Sequence, residues 1–148
     1  MKVKVITYRV EGEGGLGLFC DLSTWMGTDE GSKIISNFYK VETMDKEFDY
    51  LDCLDLSQHF CAFKNLNHTL QILPFNLLEY LENCGLKLVE VKGKVILGET
   101  QSIFLPHEVK KKVITVEKLK SKLAKKIAKR DLRREFGTLD ISNYLILE

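Results

Sequence analysis

Nothing in these 148 residues stays apolar for the roughly 20 positions that a membrane-spanning helix needs. The first residues, Met1-Lys2-Val3-Lys4, run into an alternating stretch instead of the apolar centre of a signal peptide. The expectation is a soluble, cytoplasmic chain with no membrane partner. Proline is scarce, at Pro74 and Pro106, and no Pro-, Gly- or Ser-rich linker or internal repeat divides the sequence. One domain is therefore expected over 1–148, with an α+β core at 1–107 and a C-terminal helix and tail at 108–148. The four cysteines, Cys20, Cys53, Cys61 and Cys84, contain no Cys-x-x-Cys pair, and the three histidines, His59, His68 and His107, do not supply the missing ligands of a zinc site. No metal is expected, and the thiols read as small core residues. His59 and Cys61 stand two apart without an adjacent orienting acid, which reads as a packed pair and not as a nucleophile with its base.

What is present is patterned. Lys2 to Glu11 alternates and predicts a strand covered on both faces. Four glycines then fall within Gly12 to Gly17. The spacing of Gly12-Glu13-Gly14-Gly15-Leu16-Gly17 does not give Gly-x-Gly-x-x-Gly, no lysine follows, and two glutamates would repel a phosphate, so a connecting turn is expected there. Asp21 to Lys40 predicts loop, with a short helix or strand around Ser32 to Tyr39. The acidic, aromatic stretch from Asp45 to Leu56 predicts a loop or short helix.

The most organised stretch runs from Phe60 to Phe104. A strand is predicted at His59 to Phe63, and Asn65 then caps a helix from Leu66. Pro74 opens a second helix, Phe75 to Asn83, because proline is tolerated in a first turn and not in an interior. Gly85 stops that helix. Strands are predicted at Leu86 to Val91 and Val95 to Leu105, joined by a turn at Lys92-Gly93-Lys94, with a bulge expected at Gly98. Val113 to Glu117 reads as a short strand or a helix entry, with Thr115 as N-cap. A helix from Val116 to Glu135 follows, with a stop at Gly137 and a strand or docked tail at Asp140 to Leu147. The fold class expected is α+β: a mostly antiparallel sheet, leucine-rich helices on one face, and an appended basic amphipathic helix.

The formal net charge is only +1, but from Lys110 to Glu135 there are twelve Lys or Arg and three acids. Lys118, Lys122, Lys125, Lys126, Lys129, Arg130 and Arg133 are the residues expected to meet a nucleic-acid backbone or an acidic protein, unless they form a plain solvated face.

Two blocks carry a resemblance. Tyr8-Arg9-Val10-Glu11 with Gly15-Leu16-Gly17-Leu18-Phe19 is one, and Phe60-Cys61-Ala62-Phe63-Lys64-Asn65 followed by Leu78 to Leu81, Gly85, Leu86 to Val91 and Gly98-Glu99-Thr100-Gln101-Ser102-Ile103-Phe104 is the other. Together they resemble a family of small, mostly uncharacterised proteins carried by bacterial phages and related mobile elements. The resemblance implies an accessory protein that binds and inhibits a host factor, of the counter-defence kind, without a cofactor. The order of parts is also similar to the ADP-ribosyltransferase fold. That likeness implies NAD as cofactor, Arg9 as its anchor, and Glu99 and Gln101 at the carboxylate positions that balance the ribosyl cation. Gln101 is neutral where that fold places its catalytic carboxylate, and Glu99 is expected on the same face if the strand is regular. Set against these roles, Arg9 reads as a strand-surface partner of Glu11, and Gln101 as an exposed or edge-strand polar residue.

Overall fold

The computed structural model describes residues 2–12, 17, 28–51 and 55–133, with side chains described as far as 128. The order is β1 (Lys2–Glu11), α1 (Asp29–Phe38), α2 (Met44–Glu47), β2 (Phe60–Ala62), α3 (Leu66–Ile72), α4 (Phe75–Asn83), β3 (Lys87–Leu97), β4 (Ser102–Phe104), β5 (Val109–Ile114) and α5 (Val116–Arg133). Short 3-10 turns at Leu56–Gln58 and Pro106–Glu108 lead into β2 and β5. The fold is α+β, with helices and a curled antiparallel sheet. The expected residues 13–16, the strand or tail at Asp140 to Leu147 and the helix stop at Gly137 lie outside the described residues.

β1 pairs with β3 along its whole length, from Lys2 opposite Ile96 to Glu11 opposite Lys87. The other edge of β3 is shared by β5, opposite Leu88 to Gly93, and by β4, opposite Ile96 and Leu97. β4 pairs in turn with β2. Phe63, just past β2, donates its N–H to the Tyr8 carbonyl at 2.7 Å, which brings the end of the row back to β1 and curls the sheet. Side chains alternate across the strands. On one face Tyr8, Val10, Leu88 and Ile114 join α1, α3, α4 and α5 in the largest core cluster. On the other, Val89, Val91 and Val95 pack with Ala62 and Phe104 inside the curl.

The helix ends follow local chemistry. Asn65 Oδ1 accepts from the His68 N–H at 2.8 Å, capping α3, and Pro74 stands at the entry to α4. α4 ends in a Schellman motif. Gly85 sits at φ +94, its N–H donates to the Glu82 carbonyl, and the Leu86 N–H donates to the Leu81 carbonyl, both at 3.0 Å. α1 begins once Thr28 caps it, its Oγ1 accepting from the Gly31 N–H at 2.9 Å, so Gly31 falls in the first turn where helix propensity matters least. α5 starts after Thr115, whose hydroxyl accepts from the Lys118 N–H at 3.2 Å, and it buries Val116, Leu119, Leu123 and Ile127 in the core shared with α4.

Three expectations are corrected. Lys92-Gly93-Lys94 is not a turn but the middle of the continuous strand β3. Gly93 is required because β5 crosses so closely that a Cβ would collide with the Glu108 carbonyl and lie 2.8 Å from Val109 Cα. The hairpin turn comes later, at 98–101, where the Gly98 N–H donates to the Gln101 carbonyl at 2.8 Å, so the strand expected over Val95 to Leu105 is split and β4 keeps three residues. β5 begins at Val109, earlier than the strand or helix entry read at Val113, and it adds a third strand beside β3.

Candidate functional site

The site expected from the resemblance lies where β1 and β2 part, beyond the Tyr8–Phe63 bridge. Arg9 fills the gap between the strands. Its Nη1 donates to the Cys61 carbonyl at 2.7 Å, replacing the ladder bond the diverging strands no longer make, and its Nε donates to Glu11 Oε2 at 2.7 Å. The guanidinium carbon stands 5.0 Å from the centre of the Phe60 ring, within cation–π range. Arg9 is 6% exposed, so its charge is compensated inside the protein by Glu11, which also receives Lys111 Nζ at 3.0 Å. The pairing with Glu11 is as read from sequence. The surface position is not, because the curl of the sheet folds β1 against β2 and closes over the side chain. Gly17 pairs back on Glu11 and passes against the guanidinium, where a Cβ would stand 3.1 Å from Nη2. The last glycine of the Gly-rich stretch thus permits close approach to Arg9.

Gln101 lies at the end of the hairpin turn and is 3% exposed, a correction to the edge-strand reading. Its Nε2 donates to the Glu42 carbonyl at 2.5 Å, and its backbone N–H donates to Glu47 Oε2 at 3.2 Å. Glu47 also accepts from the Thr100 N–H and hydroxyl, so one carboxylate of α2 clamps the turn. That clamp breaks the period of two that would put residues 99 and 101 on one face. Glu99 is exposed and borders a different hollow, with Lys46, Tyr50 and Lys64. The structure brings Arg9 and Gln101 to one cleft and leaves Glu99 outside it.

The cleft has a tight inner part beside Arg9, Val10, Gly17 and Phe63, and a wider mouth of about 540 Å³ beside Ile35, Tyr39, Glu42 and Met44. Phe38, Val41, Cys61 and Gln101 border both. The mouth is of a size that takes a small organic ligand. The carboxylate that sequence reasoning missed is Glu42, exposed at the mouth, with Lys46 Nζ 3.8 Å away. It carries no motif signal; only the docking of the 39–44 segment against the Gln101 turn puts it there. Cys61 lines the cleft while His59 is buried with Nδ1 2.8 Å from the Asp55 carbonyl oxygen, turned to its own loop. Among the described residues no group of His, Cys, Asp and Glu has the geometry to hold a metal ion.

Two nearby titratable groups are perturbed. The Tyr8 phenol is pushed up to about 12, chiefly by burial and then by the charge and hydrogen bond of Glu90, 3.5 Å away. His68, edge-on to Phe63, is held below the usual histidine range by burial first and Lys64 second, against an opposing pull from Glu47.

On α5, Lys118, Lys125 and Lys126 are exposed, and Lys122 Nζ reaches Glu90 Oε2 at 3.3 Å. Lys129, Arg130 and Arg133 lie on the same helix, with side chains outside the described set. Among the described residues no helix is long and apolar enough to cross a membrane. No protein-family model, curated protein or solved structure matches the chain.

Proposed function

We propose that this protein works by binding and not by turnover, as a phage or mobile-element accessory protein that occupies and inhibits a host factor. The observation that carries the reading is the state of Gln101. It stands where the ADP-ribosyltransferase resemblance would place a carboxylate, and it is neutral, buried and committed to the Glu42 carbonyl. A neutral amide cannot balance a developing ribosyl cation, and Glu99, the nearest acid in sequence, opens onto a different hollow. The phage-family resemblance supplies the host context.

A pull-down from bacterial host lysate tests it. One partner should be retained at fixed stoichiometry, with its activity blocked and its mass unchanged when NAD is added. A radiolabelled band formed from labelled NAD, abolished by Glu99→Ala or Glu42→Gln, would falsify the reading.

A second reading, NAD-dependent ADP-ribosyl transfer, is favoured by one observation. Segments 52 residues apart at Arg9 and Cys61 meet with Gln101 around a small inner void, and Cys61 and Gln101 also border the adjoining hollow of ligand size. In this reading Arg9 would anchor the dinucleotide and Glu42 would be the acid within reach of the mouth. Titration calorimetry with NAD separates the two: saturable binding lost in Gln101→Leu belongs to the second reading and absence of heat to the first.

A further inference from the structure

The strand register gathers a second feature, far from the cleft. Lys4 stands directly opposite Lys94, and Lys92 directly opposite Lys110. Lys112 continues the same face opposite Glu90. All five lysines are exposed, while the reverse side of these strands is core. Like charges directly opposite one another on adjacent strands destabilise a sheet. Neutralisation from within is only partial: Glu90 holds Lys122, Glu108 holds Lys2 and feels the charge of Lys94 at longer range, and among the described residues none of the five lysines forms an ion pair. Three of them, Lys4, Lys92 and Lys110, border a concavity of about 480 Å³ together with Ile6, Gly93, His107 and Glu108.

We infer that this lysine face is a docking surface for the phosphate backbone of a nucleic-acid duplex. Charge complementarity selects a polyanion. The rows span about 14 Å along the strands and about 10 Å across three of them, a distance over which a duplex presents roughly eight phosphates. Among the described residues the exposed aromatics Tyr39, Tyr50 and Phe60 lie on other parts of the molecule, and none on this face offers a platform for unstacked bases, which favours a duplex over a single strand. Among the described residues, Ile6 is the one large apolar side chain exposed on this face, short of the anchor cluster on which protein interfaces centre. Lys122 on α5, joined through Glu90, extends the charge towards the helix. The sheet lysines carry this inference, not the helix alone, and it stands or falls apart from the cleft.

The test is fluorescence anisotropy with labelled mixed-sequence duplexes of about 20 base pairs, DNA and RNA in separate arms, across a salt series. Four or five phosphate contacts predict a log–log salt slope of about −4. Lys94→Gln with Lys110→Gln should flatten the slope by about 2 and weaken binding at least tenfold at about 100 mM salt, with an unchanged circular dichroism spectrum showing that the fold is kept. The arm with the larger loss names DNA or RNA. No retention of either duplex at low salt overturns the inference. So does loss confined to Lys125→Gln with Lys126→Gln while the sheet variant binds normally. Equal binding of a single strand, or equal competition by polyglutamate, also overturns it, the last in favour of an acidic protein.

Discussion

The two ends of the curled sheet treat charge in opposite ways. Around the cleft, Arg9 and Gln101 are buried and bonded to backbone carbonyls, and Glu47 is spent on the turn that carries Gln101. On the lysine face, ammonium groups stand opposite ammonium groups and remain in water. The first arrangement is explained by the fold itself, since each polar group there closes a gap left by diverging strands or a tight turn. The second arrangement sets like charges opposite one another at a cost in stability, and the inferred polyanion would offset that cost. Substitutions near the cleft should therefore register as lost stability, and substitutions on the lysine face as lost binding with stability kept or raised.

The largest effect is expected from Arg9→Leu. It removes the Arg9 bond to the Cys61 carbonyl and one of the two cations on Glu11, and breaking a buried pair costs about 3–5 kcal/mol. Urea unfolding should show that loss as a lower midpoint with an unchanged slope. A loss below about 1 kcal/mol would mean that Arg9 is held for a ligand and not for the fold, which would break the comparison. Gln101→Glu comes next. It replaces a donor with a buried carboxylate facing the Glu42 carbonyl oxygen and close to Glu47, at a cost of about 2–4 kcal/mol. The same variant restores an acid at the position the ADP-ribosyltransferase resemblance requires, so gain of labelling from NAD in it would sharpen the second functional reading.

How much of this was readable in the sequence depended on how local the cause was. Asn65, Pro74 and Gly85 act on their own turns of helix, and each boundary they mark is found in the structure. Gly93 between two lysines has the look of a turn, yet its cause is β5 passing over it, which no neighbouring residue announces. The burial of Gln101 is set by Glu47 and Glu42, 54 and 59 residues away, and Glu99 was misplaced for the same reason. Alternation in β1 was plain. Which lysine faces which follows only from the register of three strands, so the lysine face had no signal of its own while the charge of α5 did.

An acid titration distinguishes the two regions with a smaller effect. His68 packs beside the cleft wall at Phe63, with Nδ1 buried and unbonded, and burial holds its proton affinity below that of the unfolded chain. As pH falls through the ordinary histidine value of 6.5, the unfolded chain takes up a proton before the folded one, so stability falls from there downward. Thermal melts between about pH 7 and 5 should show that decline. His68→Gln should flatten it, while Lys94→Gln should leave it in place. A decline equally steep in His68→Gln would assign it to other groups.

The smallest effect, and the one with the most telling sign, is that of Lys94→Thr. Threonine suits a strand, and the substitution removes one member of the Lys4–Lys94 opposition without touching the core behind Val95. Relief of a like-charge pair is worth about 0.2–1 kcal/mol, so the urea midpoint should rise slightly. Because the repulsion is solvent-exposed, the gain should shrink as salt shortens the Debye length to about 3 Å near 1 M. A variant that is less stable at every ionic strength would show that the lysine stem covers apolar surface and is kept for packing. The two ends of the sheet would then be governed by the same rule, and the case for an anionic partner at this face would lose its physical ground.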